Sequence, residues 1–336
     1  MRQLNRDSAS MNHGIDARSR SRNRPFFRFL TYRTGCNNFT YSYSQFNLTY
    51  QTMNESHDRE IIGGHLLVIG GAEDKYNERR ILKKFLELAG GEKAEVLIVP
   101  VASDYPEFAA DVYTQAFRNL GITNPRVLRA TSRQDVFQAD PNELLDGVTG
   151  VFITGGDQMR LVSLLGGTEL AAKLRKMVRE TNIVLAGTSA GAAGMSTSMI
   201  VRGEAASHPH KDAVRLSPGL GFLKNIIIDQ HFTERGRISR LITAVSYNPY
   251  NLGIGIDENT AIILDPNGVM EVFGQGSVTV VDGSQITYNE IAEVAEHESF
   301  GVCGVQMHIL RDGLVYQYLD RHPLQPPQEF LLPDLG

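Results

Sequence analysis

Ser189 stands among very small side chains. Residues 182–194 read NIVLAGTSAGAAG, placing Gly187, Ala190, Gly191, Ala192, Ala193 and Gly194 around one hydroxyl. An apolar, strand-like run precedes it and helix-forming alanines follow. A serine on a sharp strand-to-helix turn has strained backbone angles and neighbours pressed against it, so flanking residues must be small; this is the setting of the G-x-S-x-G nucleophile. The following helix also aims backbone N–H groups at any oxyanion formed on an attacked carbonyl. Tight strand–helix packing would ask for the same small residues without chemistry, so the motif needs partners elsewhere in the chain.

A serine nucleophile requires a base, and the base an orienting acid. His231 ends the apolar run NIIIDQH as Ser189 ends NIVLAGTS. Asp257 and Glu258 follow LGIGI, and Gly155, Gly156, Asp157 and Gln158 follow VFIT. Side chains at the C-terminal ends of parallel strands converge on the crevice where such sheets bind ligands. The four runs are therefore expected to empty their polar residues onto one edge. Adjacent strand residues point to opposite faces, which leaves both Asp257 and Glu258 open as the acid. The other histidines compete less well: His208 and His210 form at most a weak metal-binding pair in ASHPHKD, and His65, His297 and His308 sit in strand-start or polar contexts.

Beside His231, the stretch DQHFTERGRISRL bunches Arg235, Arg237 and Arg240. Arg237 and Arg240, at i,i+3, can share a helix face, and guanidinium forks grip carboxylates bidentately. A solvated helix face is the duller use of the same residues.

Positioning these groups requires a scaffold, and the hydrophobic pattern supplies one. Apolar runs at 65–71, 94–103, 126–130, 150–157, 182–189 and 224–232 alternate with helical patterns near 77–89, 106–121 and 168–181. Continuous rather than alternating apolar runs, separated by helices, indicate a parallel sheet covered on both faces. The expected class is α/β: a three-layer sandwich with a mostly parallel central sheet flanked by helices. Residues 252–283 have closely spaced strands and a Pro266-Asn267-Gly268 turn, which suggests antiparallel C-terminal strands extending that same sheet. No linker divides residues 60–325, which are expected to form one catalytic domain, followed by a tail over 326–336.

The chain has 336 residues and a formal net charge of −5. Residues 1–59 carry nine arginines, no lysine and four acids, leaving a body with 24 basic and 34 acidic side chains, net −10. An acidic body is a poor nucleic-acid binder but can attract a cationic substrate. No apolar run approaches the roughly 20 residues needed to span a bilayer, and Cys36 and Cys303 lack metal-ligand or disulfide-framework spacing, so a reducing cytoplasm is expected. The first 59 residues lack periodicity and an uninterrupted apolar leader core. They read as a disordered tail, an extension upstream of a start at Met53, or an Arg- and Ser-rich transit segment.

The combination IGGAEDK, ITGGDQ, GTSAGA, DQHFTERGRISRL and GIDENTA, spread over about residues 62–325, resembles the cyanophycinase family. These are serine hydrolases related to peptidase E within the class I glutamine amidotransferase-like fold. The order Ser…His…acid departs from the Ser…Asp…His order of α/β-hydrolases, and residues 1–59 have no counterpart in the family pattern. The resemblance implies hydrolysis of cyanophycin, an aspartate polymer with arginine on each β-carboxyl, to β-aspartyl-arginine, without metal or other cofactor. It implies Ser189 as nucleophile, His231 as base, Glu258 as acid, and oxyanion donors from Ala190 and the Gly155–Gly156 turn, Gly156 in particular. Gln158, Asp229, Gln230, Arg235, Arg237 and Arg240 carry over as pocket residues, with Asp229 a candidate partner for the substrate guanidinium. Thr188 matches the motif without needing side-chain chemistry. A cytoplasmic homodimer, with no nucleic-acid or membrane partner, is the implied setting. An aspartyl dipeptidase would have less need of three arginines, and a binding protein without catalysis would not need the intact Ser189, His231 and Glu258.

Overall fold

The computed structural model describes residues 62–203 and 208–324, so expectations for 1–59 and 326–336 lie outside the described residues. Five strands form the parallel core: β1 (His65–Ile69), β2 (Val96–Val99), β3 (Arg126–Val127), β4 (Gly150–Ile153) and β5 (Val184–Thr188). They lie in the order β1-β5-β4-β2-β3. Helices α1 (Arg80–Leu88) and α2 (Pro106–Arg118) cover one face, where Phe85, Phe117 and Phe152 pack ring against ring with centroids 5.5–5.6 Å apart. The opposite face carries α3 (Arg133–Gln138), α4 (Pro141–Leu145), α5 (Gln158–Leu165), α6 (Glu169–Glu180) and α7 (Ala190–Gly194). Leu66 and Val68 face that side while Leu67 and Ile69 face the other, so β1 is apolar throughout because both of its faces are covered.

The later strands are β6 (Ser198–Gly203), β7 (Val214–Pro218), β8 (Ile226–Gln230), β9 (Leu252–Ile256), β10 (Thr260–Leu264), β11 (Val269–Gly274) and β12 (Ser277–Asp282). After them come β13 (Tyr288–Asn289), β14 (Val302–Cys303), β15 (Gln306–Arg311), β16 (Val315–Gln317) and β17 (His322–Pro323). As expected, antiparallel strands extend the core sheet: β10 pairs with β1, and β11, β16 and β17 continue outward. The expectation of a single sheet is corrected, however. Strands β8, β9, β12 and β15 form a second, four-stranded sheet, with β8 and β9 parallel and helix α8 (Ile238–Tyr247) packed on it. The chain crosses between sheets at Asp257–Asn259, from β9 to β10, and again from β11 to β12.

One helix start and one additional helix depart from the sequence pattern for visible reasons. The first helix begins at Arg80 because Asp74 caps a turn instead: its carboxylate accepts from the amides of Tyr76, Asn77 and Arg79 at 2.9 Å each. Helix α3, absent from the periodicity, is started by a capping box in which Ser132 and Asp135 satisfy each other's backbone N–H groups. Its signal was the Ser132…Asp135 spacing.

Candidate active site

The turn after β5 sets the geometry of Ser189. Ser189 has φ +51° and ψ −112°, a conformation few L-residues adopt, and it opens α7. The small neighbours are required by close approach. A Cβ on Gly187 would lie 2.7 Å from Gly191 carbonyl atoms, and one on Gly191 would lie 2.4 Å from the Ile153 carbonyl oxygen. Glycines at both positions let α7 start directly against β4 and β5, leaving the Ser189 side chain partly exposed while Ala190 to Gly194 are buried.

His231 follows β8, the strand of the other sheet, also with positive φ (+46°). Its backbone N–H donates to the Gly70 carbonyl at 2.8 Å, which ties the second sheet to the end of β1. Ser189 Oγ lies 2.9 Å from His231 Nε2, and His231 Nδ1 lies 2.6 Å from Glu258 Oε1. The Nδ1 contact fixes the ring's orientation and leaves Nε2 facing the hydroxyl. Only 11% of the His231 side chain is exposed, against 37% for Glu258, so the imidazole is shielded while the carboxylate keeps some water.

The choice between adjacent acids is visible in their partners. Asp257 is buried and faces away, accepting from Thr233 N (3.1 Å), Ser277 N (2.9 Å) and Ser277 Oγ (2.8 Å). It holds β12 and the turn after His231 in place. Glu258 alone reaches the imidazole, and its own N–H is held by Glu234 Oε1 at 3.1 Å.

The Gly155–Gly156 turn abuts the serine: a Cβ on Gly155 would lie 3.4 Å from Ser189 Cβ. Gly156, at φ +144°, passes so close to Ala102 that a Cβ would lie 2.1 Å from its carbonyl oxygen. The Ala190 N–H belongs to the first turn of α7, where amides have no intrahelical acceptor. Asp157 caps α5 through Arg160 N (2.8 Å), and Gln158 donates to the Ile200 carbonyl on β6 at 3.0 Å.

Beneath the arginines lies one acid. Asp229 has no exposed surface, and its carboxylate accepts from Arg240 Nε at 2.7 Å, from Arg240 Nη2, and from Arg237 Nη1 at 3.3 Å. The expected pairing of Asp229 with a substrate guanidinium therefore meets two guanidiniums already in place. Arg240 is itself buried and also donates to the Gly203 carbonyl at 2.8 Å, which clamps β8, α8 and β6 together. Arg237 donates to Gln230 Oε1 at 2.6 Å and keeps 12% of its side chain accessible, while Arg235 is exposed. Burial, partly offset by Asp229 and reinforced by repulsion from Arg240 and Arg235, brings the Arg237 guanidinium down to about 10. Two guanidiniums thus share one buried anion, and the exposed Arg235 adds a third positive charge close enough to repel Arg237.

Sequence reasoning passed over Gly71 and Glu73. At φ +103°, Gly71 packs against the imidazole, where a Cβ would lie 2.4 Å from His231 Cε1. The doubled glycine of IGGAEDK was the available signal. Among the described residues, no group of three or more His, Cys, Asp or Glu is arranged to hold a metal, and no helix is long and apolar enough to cross a membrane. His210 instead pairs with Asp212 at 2.9 Å.

With this geometry in hand, comparison with known proteins is specific. Residues 66–272 match the model of peptidase family S51. The cyanophycinase of Synechococcus elongatus is 40% identical over 273 residues, covering 81% of this chain and 84% of that protein. That of Geminocystis herdmanii is 38% identical over 266 residues, covering 79% and 98%. Among solved structures, a peptidase from an acI-B1 Actinobacterium superposes with TM-score 0.58 at 20% identity, covering 77% of this chain and 98% of that one, which is a likeness of fold.

Proposed function

The chain belongs to peptidase family S51, and from that premise we propose that it is a serine peptidase that hydrolyses cyanophycin to β-aspartyl-arginine. The observation that carries the reading is the unbroken chain Ser189 Oγ–His231 Nε2–Glu258 Oε1, with links of 2.9 and 2.6 Å, in a protein 40% identical to a cyanophycinase. In this mechanism His231 Nε2 takes the Ser189 proton as Oγ attacks the scissile carbonyl, while Glu258 stabilises the imidazolium. The oxyanion is met by the N–H groups of Gly156 and Ala190. His231 then returns the proton to the departing amide nitrogen, and water repeats the sequence on the acyl-enzyme.

Recognition falls to the cationic pocket floor. A surplus of guanidinium over carboxylate charge around Asp229 favours a substrate that brings carboxylates, with Arg237 and Arg235 the accessible members, Gln230 bonded to Arg237, and Gln158 a further proposed pocket residue. The acidic body suits the polymer's arginyl side chains. We place the enzyme in the cytoplasm, which fractionation of its source cells tests, and as a homodimer, which light scattering of the purified protein tests. Incubation with cyanophycin and mass spectrometry for β-aspartyl-arginine tests the activity, with Ser189→Ala as control. No dipeptide from the wild type, or more than a few per cent of wild-type release from Ser189→Ala, overturns the reading.

A further inference from the structure

Three consecutive carbonyls at the end of β1 hold three segments that are distant in sequence. The Ile69 oxygen accepts from Ser189 N–H at 3.0 Å, the Gly70 oxygen from His231 N–H at 2.8 Å, and the Gly71 oxygen from Asn259 N–H at 2.8 Å. Two residues further on, Glu73 turns inward with a side chain that has no exposed surface. Its polar partners are Thr188, Tyr113 and Lys75 rather than Ser189, His231 or Glu258. Its Oε2 accepts from Thr188 Oγ1 at 2.5 Å and its Oε1 from the Tyr113 hydroxyl, while Lys75 Nζ lies 3.1 Å from Oε1 and 3.0 Å from the Glu73 carbonyl oxygen. Lys75 also sits over the Tyr113 ring, 5.2 Å from its centroid.

Burying a carboxylate is costly unless hydrogen bonds and a counter-charge compensate it. This one has a donor from each of three places: the strand bearing the nucleophile, helix α2, and its own loop. The Thr188 contact is the informative one. Thr188 immediately precedes Ser189, and the φ of Ser189 is the rotation between the Thr188–Ser189 peptide plane and the Ser189 Cα. Thr188, anchored through its side chain, lies on one side of this rotation and α7 on the other, and its value is the unusual +51°. Strained backbone of this kind persists only where its surroundings over-determine it.

We propose that Glu73 is a positioning residue for the nucleophile, acting through the Thr188 hydroxyl to hold Ser189 Oγ in line with His231. The proposal rests on the serine-peptidase reading, and its test is separable from substrate identity. The rate at which a small fluorophosphonate labels Ser189 is compared in the wild type, Glu73→Gln, Thr188→Val, Thr188→Ser and the double variant Glu73→Gln/Thr188→Val, with melting temperature followed in parallel. Because misplacement by about 1 Å can cost on the order of 100-fold, Glu73→Gln and Thr188→Val are expected to label roughly 10- to 100-fold more slowly. Thr188→Ser, which keeps the hydroxyl, should recover most of the rate. Residues that act through one contact are not additive, so the double variant should be no slower than the slower single. On cyanophycin the loss should fall on kcat, with KM within about twofold of wild type.

Wild-type labelling rates in folded Glu73→Gln and Thr188→Val overturn the proposal and leave the serine reading standing. So does a Thr188→Ser variant as slow as Thr188→Val, or losses that multiply in the double variant. Should Glu73→Gln fail to fold, the Thr188→Val and Thr188→Ser pair decides alone. A wild type that the reagent does not label sinks the serine reading, and this proposal with it.

Discussion

Replacing Gly71 by alanine should disable the site through one atom. A Cβ there would lie 2.4 Å from His231 Cε1 and 2.6 Å from Nε2, whereas ordinary van der Waals contact begins near 3.4 Å. The imidazole must therefore retreat by about 1 Å, or the loop must move and carry the Gly70 and Gly71 carbonyls that hold His231 and Asn259. The ring is bonded at both nitrogens, at 2.9 and 2.6 Å. Even a purely sideways shift of about 1 Å swings each bond roughly 20° off line, and any other direction stretches one of them. Displacements of that size cost on the order of 100-fold in rate. An L-residue at φ +103° adds backbone strain of about 1–3 kcal/mol, which thermal melting will register as a drop of a few degrees. The assay is the rate of Ser189 labelling and kcat/KM on cyanophycin, measured below the melting transition. A folded Gly71→Ala enzyme within threefold of wild type would refute the claim that this glycine seats His231.

Asp257 and Glu258 should separate cleanly. Glu258→Gln is expected to fold normally and lose at least 100-fold in kcat, whereas Asp257→Asn should lower the melting temperature while the surviving folded protein keeps most of its activity; the reverse pattern would reassign the acid. Arg240→Ala strips the main partner from a fully buried carboxylate, so it should cost about 3–5 kcal/mol in denaturant titrations, while the exposed Arg235→Ala should leave stability unchanged and raise KM. Asp135, held down to about 2 chiefly by the Thr131 and Ser132 amides, stabilises the start of α3 when ionised. That contribution is present above pH 4 and fades as pH falls toward 2, so hydrogen-exchange protection factors at α3, corrected for the intrinsic rate at each pH, should fall over that window in the wild type and lose the dependence in Asp135→Asn.

Much of the architecture was readable because strands covered on both faces must be apolar throughout, and the runs around Val68, Ile98, Phe152 and Leu185 are. The G-x-S-x-G context was equally legible, since only tiny residues can stand where Gly187 and Gly191 meet. The division into two sheets was not. A buried strand such as β9 has the same composition whether it pairs with β5 or with β8, and nothing local distinguishes the crossing at Asp257–Asn259 from an ordinary hairpin. Alternation said that Asp257 and Glu258 face opposite ways; the partners Ser277 and His231, each remote in sequence, determine which way each faces. The arginines were legible as a cluster, but their sharing of Asp229 depends on how α8 lies against β8.

The two-sheet arrangement gives the site its particular vulnerability. In a single parallel sheet, strand ends are registered by the ladder between them. Here Ser189 belongs to one ladder and His231 to another, with Glu258 on the crossing between them, so backbone pairing within either sheet cannot fix the distance from hydroxyl to imidazole. That distance is set by the short segment Ile69–Gly71, whose carbonyls reach all three segments, and by the ring resting on Gly71. Substitutions in either sheet's core should consequently change stability first and rate only as the fold fails. Substitutions in the loop after β1 should change rate while the sheets remain intact. A loop that makes no proposed contact with substrate thereby controls the alignment on which the chemistry depends.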